Sequence, residues 1–305
     1  MTKILITGGT GLIGKTLTRY LNDKGYAVII LTRKKNELSL DPMIQYANWD
    51  IEMQKIDGEA ISNADYIIHL AGAGVMDKRW SAKYKTEILE SRTKSSALIL
   101  KGLRENNNKV KVVVSTSAIG WYGEDPKPLQ NKKGFIETDP PDKNFLGETC
   151  RLWEESIAPV TDMNIRLAKL RLGIVLSNDG GALEEFKKPL RFGIAAILGS
   201  GKQMISWIHI EDVCRMFLYA IENEISGSFN AVAPEPVTNK KLTLTLAGKL
   251  RKQFYIPVHV PQFILKLMLG QRSIEILKSA TVSCEKIKKE GFIFLYPSIE
   301  AALDH

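Results

Sequence analysis

The stretch Ile4-Leu5-Ile6-Thr7-Gly8-Gly9-Thr10-Gly11-Leu12-Ile13-Gly14 constrains this chain more than any other. Its apolar opening predicts a buried strand, and the glycines that follow predict a turn. Leu17, Tyr20 and Leu21 then recur at helical spacing. Strand, glycine turn and helix in that order is the context in which a Gly-x-x-Gly-x-x-Gly pattern acquires a mechanism. Gly8 permits the tight turn, Gly11 lets the backbone approach a pyrophosphate, and Gly14 lets helix and strand pack closely. Thr10, Leu12 and Ile13 complete the surface facing the phosphates. The helix N-terminus adds unpaired N–H groups and partial positive charge. The same residues also suit a plain glycine turn in another α/β protein.

Composition excludes several other classes. Three scattered cysteines, Cys150, Cys214 and Cys284, with no CxxC, point to a reducing compartment without disulfides or a zinc site. Met1-Thr2-Lys3 runs directly into the first strand, so no signal peptide is expected and the chain reads as cytoplasmic. No apolar run reaches the ~20 residues of a membrane span. The net charge of +8 is dispersed over the chain. It therefore reads as a solvated surface, with neither nucleic acid nor membrane as partner.

The first half alternates strands and helices. A second strand, Ala27–Thr32, ends at Arg33-Lys34-Lys35, about twenty residues past the glycines, where the adenosine ribose of a dinucleotide lies. An acid there would accept from the 2′-OH of NAD, whereas Arg33 suits a 2′-phosphate, so NADP is expected ahead of NAD. A basic loop in a basic protein is the competing reading. A third strand near 44–49 leads to Asp50-Ile51, placed to meet the adenine. The fourth, Tyr66–Leu70, ends in Ala71-Gly72-Ala73-Gly74, small residues that allow a flat cofactor to approach. His69, inside that strand, reads as a core histidine.

A helix is expected from about Ala82 to Arg104 and a fifth strand over Val110–Val114, which runs into Ser115-Thr116-Ser117-Ala118. Hydroxyls at the carboxyl edge of a parallel sheet lie where ligands bind. The polar stretch from Glu124 to Asn144 reads as a lid or substrate loop. Arg171 ends the strand Leu167–Leu172. Beyond it, 186–198 reads as an irregular helical segment, and Asp212 as the N-cap of a helix. The expected organisation is a dinucleotide-binding domain over 1–172 with a return near 207–232, and a substrate side built from 173–206 and 233–305.

These motifs together resemble the short-chain dehydrogenase/reductase superfamily in its extended, epimerase/dehydratase-like branch. The resemblance rests on Thr7–Gly14, His69-Leu70-Ala71-Gly72, Ser115–Ala118 and Ser206–Val213. A closer likeness is to an atypical group usually labelled NAD-dependent epimerase/dehydratase family protein. It is carried by Arg79-Trp80 with Ser91-Arg92, Trp153-Glu154, Gly199–Gln203 and the C-terminal runs 256–261 and 291–303. The resemblance implies an α/β Rossmann fold, a doubly wound parallel sheet with a smaller α/β C-terminal substrate domain. It also implies that Leu70, Ala71, Gly72, Ser115 and Arg171 join the glycine loop, Arg33, Asp50 and Ile51 in holding the cofactor.

The family's usual engine is a Tyr general acid/base with a Lys four residues on, beside a Ser or Thr that polarises the substrate carbonyl. Ser117 matches the Ser. The Tyr would fall at Leu146 or Phe145 and the Lys at Cys150 or Thr149, so neither a phenol nor an ammonium is supplied. Tyr122 is the candidate replacement phenol, or else a structural aromatic. Glu148 and Asp139 read first as solvated loop charges, and Cys150 as a buried thiol. Arg79 and Trp80 either hold an anionic or ring-shaped substrate or anchor a helix entry. Two functions remain open for what is expected to be a monomer or homodimer. One is an enzyme on a small polar or nucleotide-sugar-like substrate; the other is an NADPH-binding redox sensor or regulatory protein without turnover.

Overall fold

Short runs of Val, Ile and Leu bounded by glycines and polar turns make a parallel sheet buried on both faces. The computed structural model describes residues 1–34, 37–126, 134–252 and 254–304. The first half runs β1 (Lys3–Thr7), α1 (Leu12–Asp23), β2 (Ala27–Thr32), β3 (Ile44–Asp50), β4 (Lys55–Ile56), α2 (Gly58–Asn63), β5 (Tyr66–His69), α3 (Ala82–Glu105) and β6 (Val112–Ala118). Next come α4 (Phe145–Ile157), β7 (Arg166–Leu172), β8 (Ile174–Ser177), β9 (Gly180–Gly181), α5 (Ala182–Leu190), β10 (Ile194–Leu198), β11 (Met204–Ile205) and β12 (Trp207–His209). The chain continues through α6 (Ile210–Glu222), β13 (Gly227–Ala231), β14 (Val237–Thr238), α7 (Asn239–Arg251), β15 (Ile256–Val260) and α8 (Gln262–Leu269).

The main sheet has the order β13-β7-β6-β5-β1-β2-β3-β4. All its pairs are parallel except the short β3–β4 contact. Strands after β1 build outward through β2 and β3, and those from β5 onward build the other way. The order therefore reverses between β1 and β5, which opens a crevice at their carboxyl ends. Leu17, Leu21, Val114, Phe217 and Phe229 fill one face of this doubly wound, Rossmann-like sheet. Leu98, Leu103, Val113 and Ile157 fill the other. A smaller core around Leu176, Trp207, Leu242 and Tyr296 lies outside the sheet.

Two local expectations are corrected. Residues 186–198 are not one irregular helix. Pro189 falls in the last turn of α5, Gly193 turns the chain at φ +75°, and 194–198 become β10, paired in parallel with β15. Asp212 does not cap α6, because the His209 ring accepts the Glu211 N–H at 3.3 Å and is the N-cap. Asp212 is instead fully buried, accepting from the N–H groups of Leu295 and Tyr296 at 2.8 and 2.9 Å. It thus fastens the C-terminal segment to the main body. Among the described residues no helix is long and apolar enough to cross a membrane.

Candidate cofactor and substrate site

The glycine turn lies at the mouth of the crevice. The Gly11 N–H donates to the Gly8 carbonyl at 3.0 Å, closing the turn directly onto α1. A Cβ on Gly14 would overlap the Gly8 carbonyl and come within 2.5 Å of Gly9 Cα, so helix and turn meet as closely as backbones can. A Cβ on Gly11 would meet nothing nearer than the Gly8 carbonyl oxygen at 3.4 Å, which leaves that face open. Gly11 is the N-cap of α1 and provides no side-chain acceptor, and the first turn holds no acid. The N–H groups at Leu12, Ile13 and Gly14 are thus left for an outside anion, and Thr10 beside them is exposed. These residues fit a pyrophosphate.

The facing wall is the end of β5. Thr7 Oγ1 accepts the N–H groups of Leu70 and Ala71, each at 3.1 Å, and lies 2.7 Å from His69 Nδ1. His69 also touches Ser96, so it is a satisfied core residue. Burial, aided by the nearby Arg92 charge, pushes its pKa down to about 3 and keeps the ring neutral. Gly72 is exposed beyond this point, and the Ala73 N–H is tied to Ser91 Oγ at 2.9 Å.

On the adenosine side Arg33 is exposed at the end of β2, and its guanidinium has no hydrogen-bond or ion-pair partner among the described residues. Lys34 pairs with Glu37 at 3.7 Å, while Lys35 lies outside the described residues. Asp50 is exposed and accepts the Met53 N–H at 2.9 Å, and Ile51 packs on the core beneath. Neither makes a contact across to the glycine turn.

At the other end Ser117, Arg171 and Tyr122 meet in one buried network around Glu154. Ser115 and Ser117 are both buried in β6. Ser115 Oγ donates to the Thr116 carbonyl at 3.2 Å. Ser117 Oγ lies beside the Glu154 carboxylate and helps hold its pKa down, yet no partner meets hydrogen-bond geometry among the described residues. Tyr122 is 0% exposed, with its hydroxyl donating to Asn230 Oδ1 at 2.7 Å and accepting from Arg171 Nη1 at 3.0 Å. Burial raises its pKa to about 12 despite that guanidinium. The candidate phenol is therefore a core group locked in a network, out of a ligand's reach.

Arg171 needs the same correction. It is buried under the sheet's helical layer and forms a fork-to-fork pair with Glu154, Nε to Oε1 at 2.7 Å and Nη2 to Oε2 at 3.1 Å. Its guanidinium also lies 3.7 Å from the Trp121 ring centroid. Burial alone would raise the Glu154 pKa, but Arg171, with Lys169 at 3.2 Å, holds it below the usual carboxylate range. Arg171 thus anchors α4 to the sheet, and the cofactor role expected of it has no support in its contacts. The sequence signal for Glu154 is its place four residues after Cys150, on the inward face of α4.

The remaining candidates are structural in their contacts. Cys150 is buried, and burial raises its thiol to about 11, so no thiolate nucleophile forms. Glu148 pairs with Arg151, and Asp139 accepts the Ile136 N–H at 2.8 Å. Arg79 donates to the Met268 carbonyl at 3.3 Å, and Trp80 Nε1 donates to the Val75 carbonyl at 2.8 Å. Trp80 also meets the Phe145 ring edge-on, with centroids 5.1 Å apart. Together they clip the segment after β5 to α4 and α8. The stretch 124–144 is no free lid at its ends: Asp125 accepts from Ser279 and Thr281, and the Phe135 N–H is bonded to the Thr281 carbonyl at 2.8 Å. Residues 127–133 lie outside the described residues.

Comparison with known proteins gives the family and the fold. The model of the NAD dependent epimerase/dehydratase family matches residues 4–146, and that of a domain of unknown function, DUF1731, matches 260–305. An epimerase family protein of Staphylococcus aureus strain bovine RF122 is 35% identical over 305 residues, 100% of this chain and 98% of the relative. The chain belongs to the NAD dependent epimerase/dehydratase family. Among solved structures, this family member is similar to the human epimerase family protein SDR39U1 (isoform 2) with NADPH. That likeness has a TM-score of 0.85 and 28% identity, covering 99% of this chain and 98% of the human one. It is also similar to the nucleoside-diphosphate sugar epimerase from Corynebacterium glutamicum. Here the TM-score is 0.77 and the identity 29%, over 99% of this chain and 57% of that one.

Proposed function

We propose that this protein is an NADP-dependent, epimerase/dehydratase-like oxidoreductase acting on a small polar substrate. The observation that carries the reading is the open face of Gly11 at the uncapped N-terminus of α1, with the exposed Arg33 guanidinium, unpaired among the described residues, at the end of the neighbouring strand. The human relative was solved with NADPH, which agrees with a 2′-phosphate at Arg33. The Corynebacterium relative's description supports a nucleotide-sugar-like substrate. Residues 1–172, with the return at 207–232, would bind the cofactor, and 173–206 with 233–305 would form the substrate side.

When bound, the nicotinamide supplies hydride transfer. Ser117 supplies the hydrogen bond to the reacting oxygen: its buried hydroxyl lies beside Glu154 but meets no partner in hydrogen-bond geometry among the described residues, which leaves it able to turn to a ligand oxygen. Glu154 stays ionised beside it and holds α4 in place. If Arg33 meets a 2′-phosphate, calorimetry should find NADPH bound more tightly than NADH by ~1.5–3 kcal/mol, the worth of a charge-assisted hydrogen bond. Arg33→Ala should erase the difference. Equal affinities in the parent protein would remove the case for NADP.

A second reading, a dinucleotide-binding sensor without turnover, is favoured by one observation. Leu146 or Phe145 and Cys150 or Thr149, where a phenol and an ammonium are expected, supply neither group, and Tyr122 is locked in the core. Ser117→Ala separates the two in a screen of carbonyl compounds and nucleotide sugars that follows both NADPH absorbance and product stereochemistry. An enzyme should lose about 10²-fold or more in rate while NADPH affinity holds. Full turnover in the variant would overturn the assignment of Ser117, and a silent screen with tight NADPH binding would select the sensor.

A further inference from the structure

Arg92 lies on the inward face of α3, in line with Tyr84, Ile88, Ser95 and Ile99. It is 9% exposed. Its Nη1 donates to the Ile88 carbonyl at 2.8 Å, and its Cζ lies 4.9 Å from the Trp153 ring centroid. No carboxylate among the described residues pairs with it. The ionisable groups that act on it are Cys150 and Tyr84, whose pKa values are both raised and which are neutral at pH 7. Arg171, the other buried arginine of this region, has Glu154. A buried cation is costly unless a counter-charge meets it, and no described residue supplies one to Arg92.

The position of Arg92 says where a counter-charge would come from. A Cβ on Gly72 would stand 3.1 Å from Arg92 Cζ and 3.3 Å from its Nε, so the guanidinium adjoins an exposed glycine on one side and the Trp153 ring on another. One residue earlier, the Ala71 N–H is held by Thr7 at the wall of the glycine turn. Arg92 therefore lies just behind the crevice wall, on the β5–β6 side of the sheet reversal. A second unmet group accompanies it: Trp153 Nε1, a donor, is buried without a partner among the described residues.

We propose that Arg92 is an anion-binding residue of this crevice, taking negatively charged phosphate or carboxylate oxygens of a ligand lying against Gly72. Two sources share that chemistry: the diphosphate of the dinucleotide, and an anionic group on the second substrate. The crevice being a dinucleotide site rests on the function proposed above.

The test uses the full-length protein, Arg92→Met and Arg92→Lys. Calorimetry measures NADPH affinity, and inorganic phosphate is titrated separately into free and NADPH-saturated protein while tryptophan fluorescence is followed. Arg92→Met should weaken one of these ligands tenfold or more, with Arg92→Lys in between. The unliganded Arg92→Met protein should melt no lower than the parent, since an uncompensated buried charge has gone; a merely structural arginine would lower it. Loss confined to NADPH assigns the diphosphate, and loss confined to phosphate in the saturated protein assigns the substrate's anion. If the parent binds NADPH and Arg92→Met changes neither ligand, the anion role is wrong and the dinucleotide reading stands. If the parent binds no NADPH but takes up phosphate through Arg92, the dinucleotide reading falls and the anion site remains. Binding of neither ligand by the parent overturns both. Arg92→Gln, which can keep the bond to Ile88, separates the two losses: it should weaken the same ligand as Arg92→Met, and a Gln variant that binds like the parent beside a destabilised Met variant would show a merely structural arginine.

Discussion

Glu154→Ala should destabilise the fold by about 3–5 kcal/mol, the cost of leaving a buried ion without its partner. Glu154 accepts two hydrogen bonds from Arg171, lies 3.2 Å from Lys169, and accepts from Ser228 Oγ at 3.2 Å. Without it the Arg171 guanidinium is left, among the described residues, with the Trp121 and Tyr122 rings, the Tyr122 hydroxyl and the Glu137 carbonyl. Denaturant unfolding checks this as a lower midpoint at unchanged slope. Arg151→Ala, which breaks exposed pairs on the outer face of the same helix, should shift the midpoint little. The pH dependence has a definite sign. Because the Glu154 pKa is lower folded than unfolded, its stabilisation is complete above the unfolded value of about 4.3 and is lost as pH falls through the folded value. The gap between parent and variant should therefore be full at neutral pH and shrink in acid. A Glu154→Ala midpoint equal to the parent's would mean that the network does not hold α4 on the sheet.

That network also shows why parts of the site were hard to read. The strands and the glycine turn were legible because their information is local: apolar runs of four to seven residues, and glycines where backbones must touch. Tyr122 and Arg171 were misplaced because nearness to a strand end in sequence does not tell which way a side chain turns. Arg171 pairs in register with Ser117, but its acid comes from α4, seventeen residues earlier in sequence, and that pairing has no periodicity to betray it. Asp212 was read as a cap because Asp near a helix start usually is one; the partners that claim its carboxylate lie more than eighty residues away. Arg92 gave a fainter local sign, a cation at a position otherwise filled by Tyr84, Ile88, Ser95 and Ile99 along one helical stripe. A charge on an inward stripe calls for a counter-charge, and only the fold shows that no described residue supplies one.

Gly11→Val should abolish dinucleotide binding, a loss of about 100-fold or more, while the protein stays folded. The two halves of that expectation have separate grounds. Gly11 has φ −78° and ψ 178°, extended backbone open to any residue. An added Cβ meets only the Gly8 carbonyl oxygen, at 3.4 Å, so the fold should lose no more than the ~1 kcal/mol typical of a poor helix cap. The new side chain would occupy the space through which a pyrophosphate reaches the N–H groups of α1, and that contact cannot be regained by moving a flexible neighbour. Gly14→Val is the contrasting variant. Its Cβ would overlap the Gly8 carbonyl and Gly9 Cα, which are backbone and cannot yield, so stability and binding should fall together. Calorimetry with NADPH, alongside thermal melts of the three proteins, measures both halves. A folded Gly11→Val protein that titrates like the parent would show that the cofactor does not lie on this turn. A Gly11→Val protein that melts as early as Gly14→Val would show that the open face at Gly11 is needed by the fold itself.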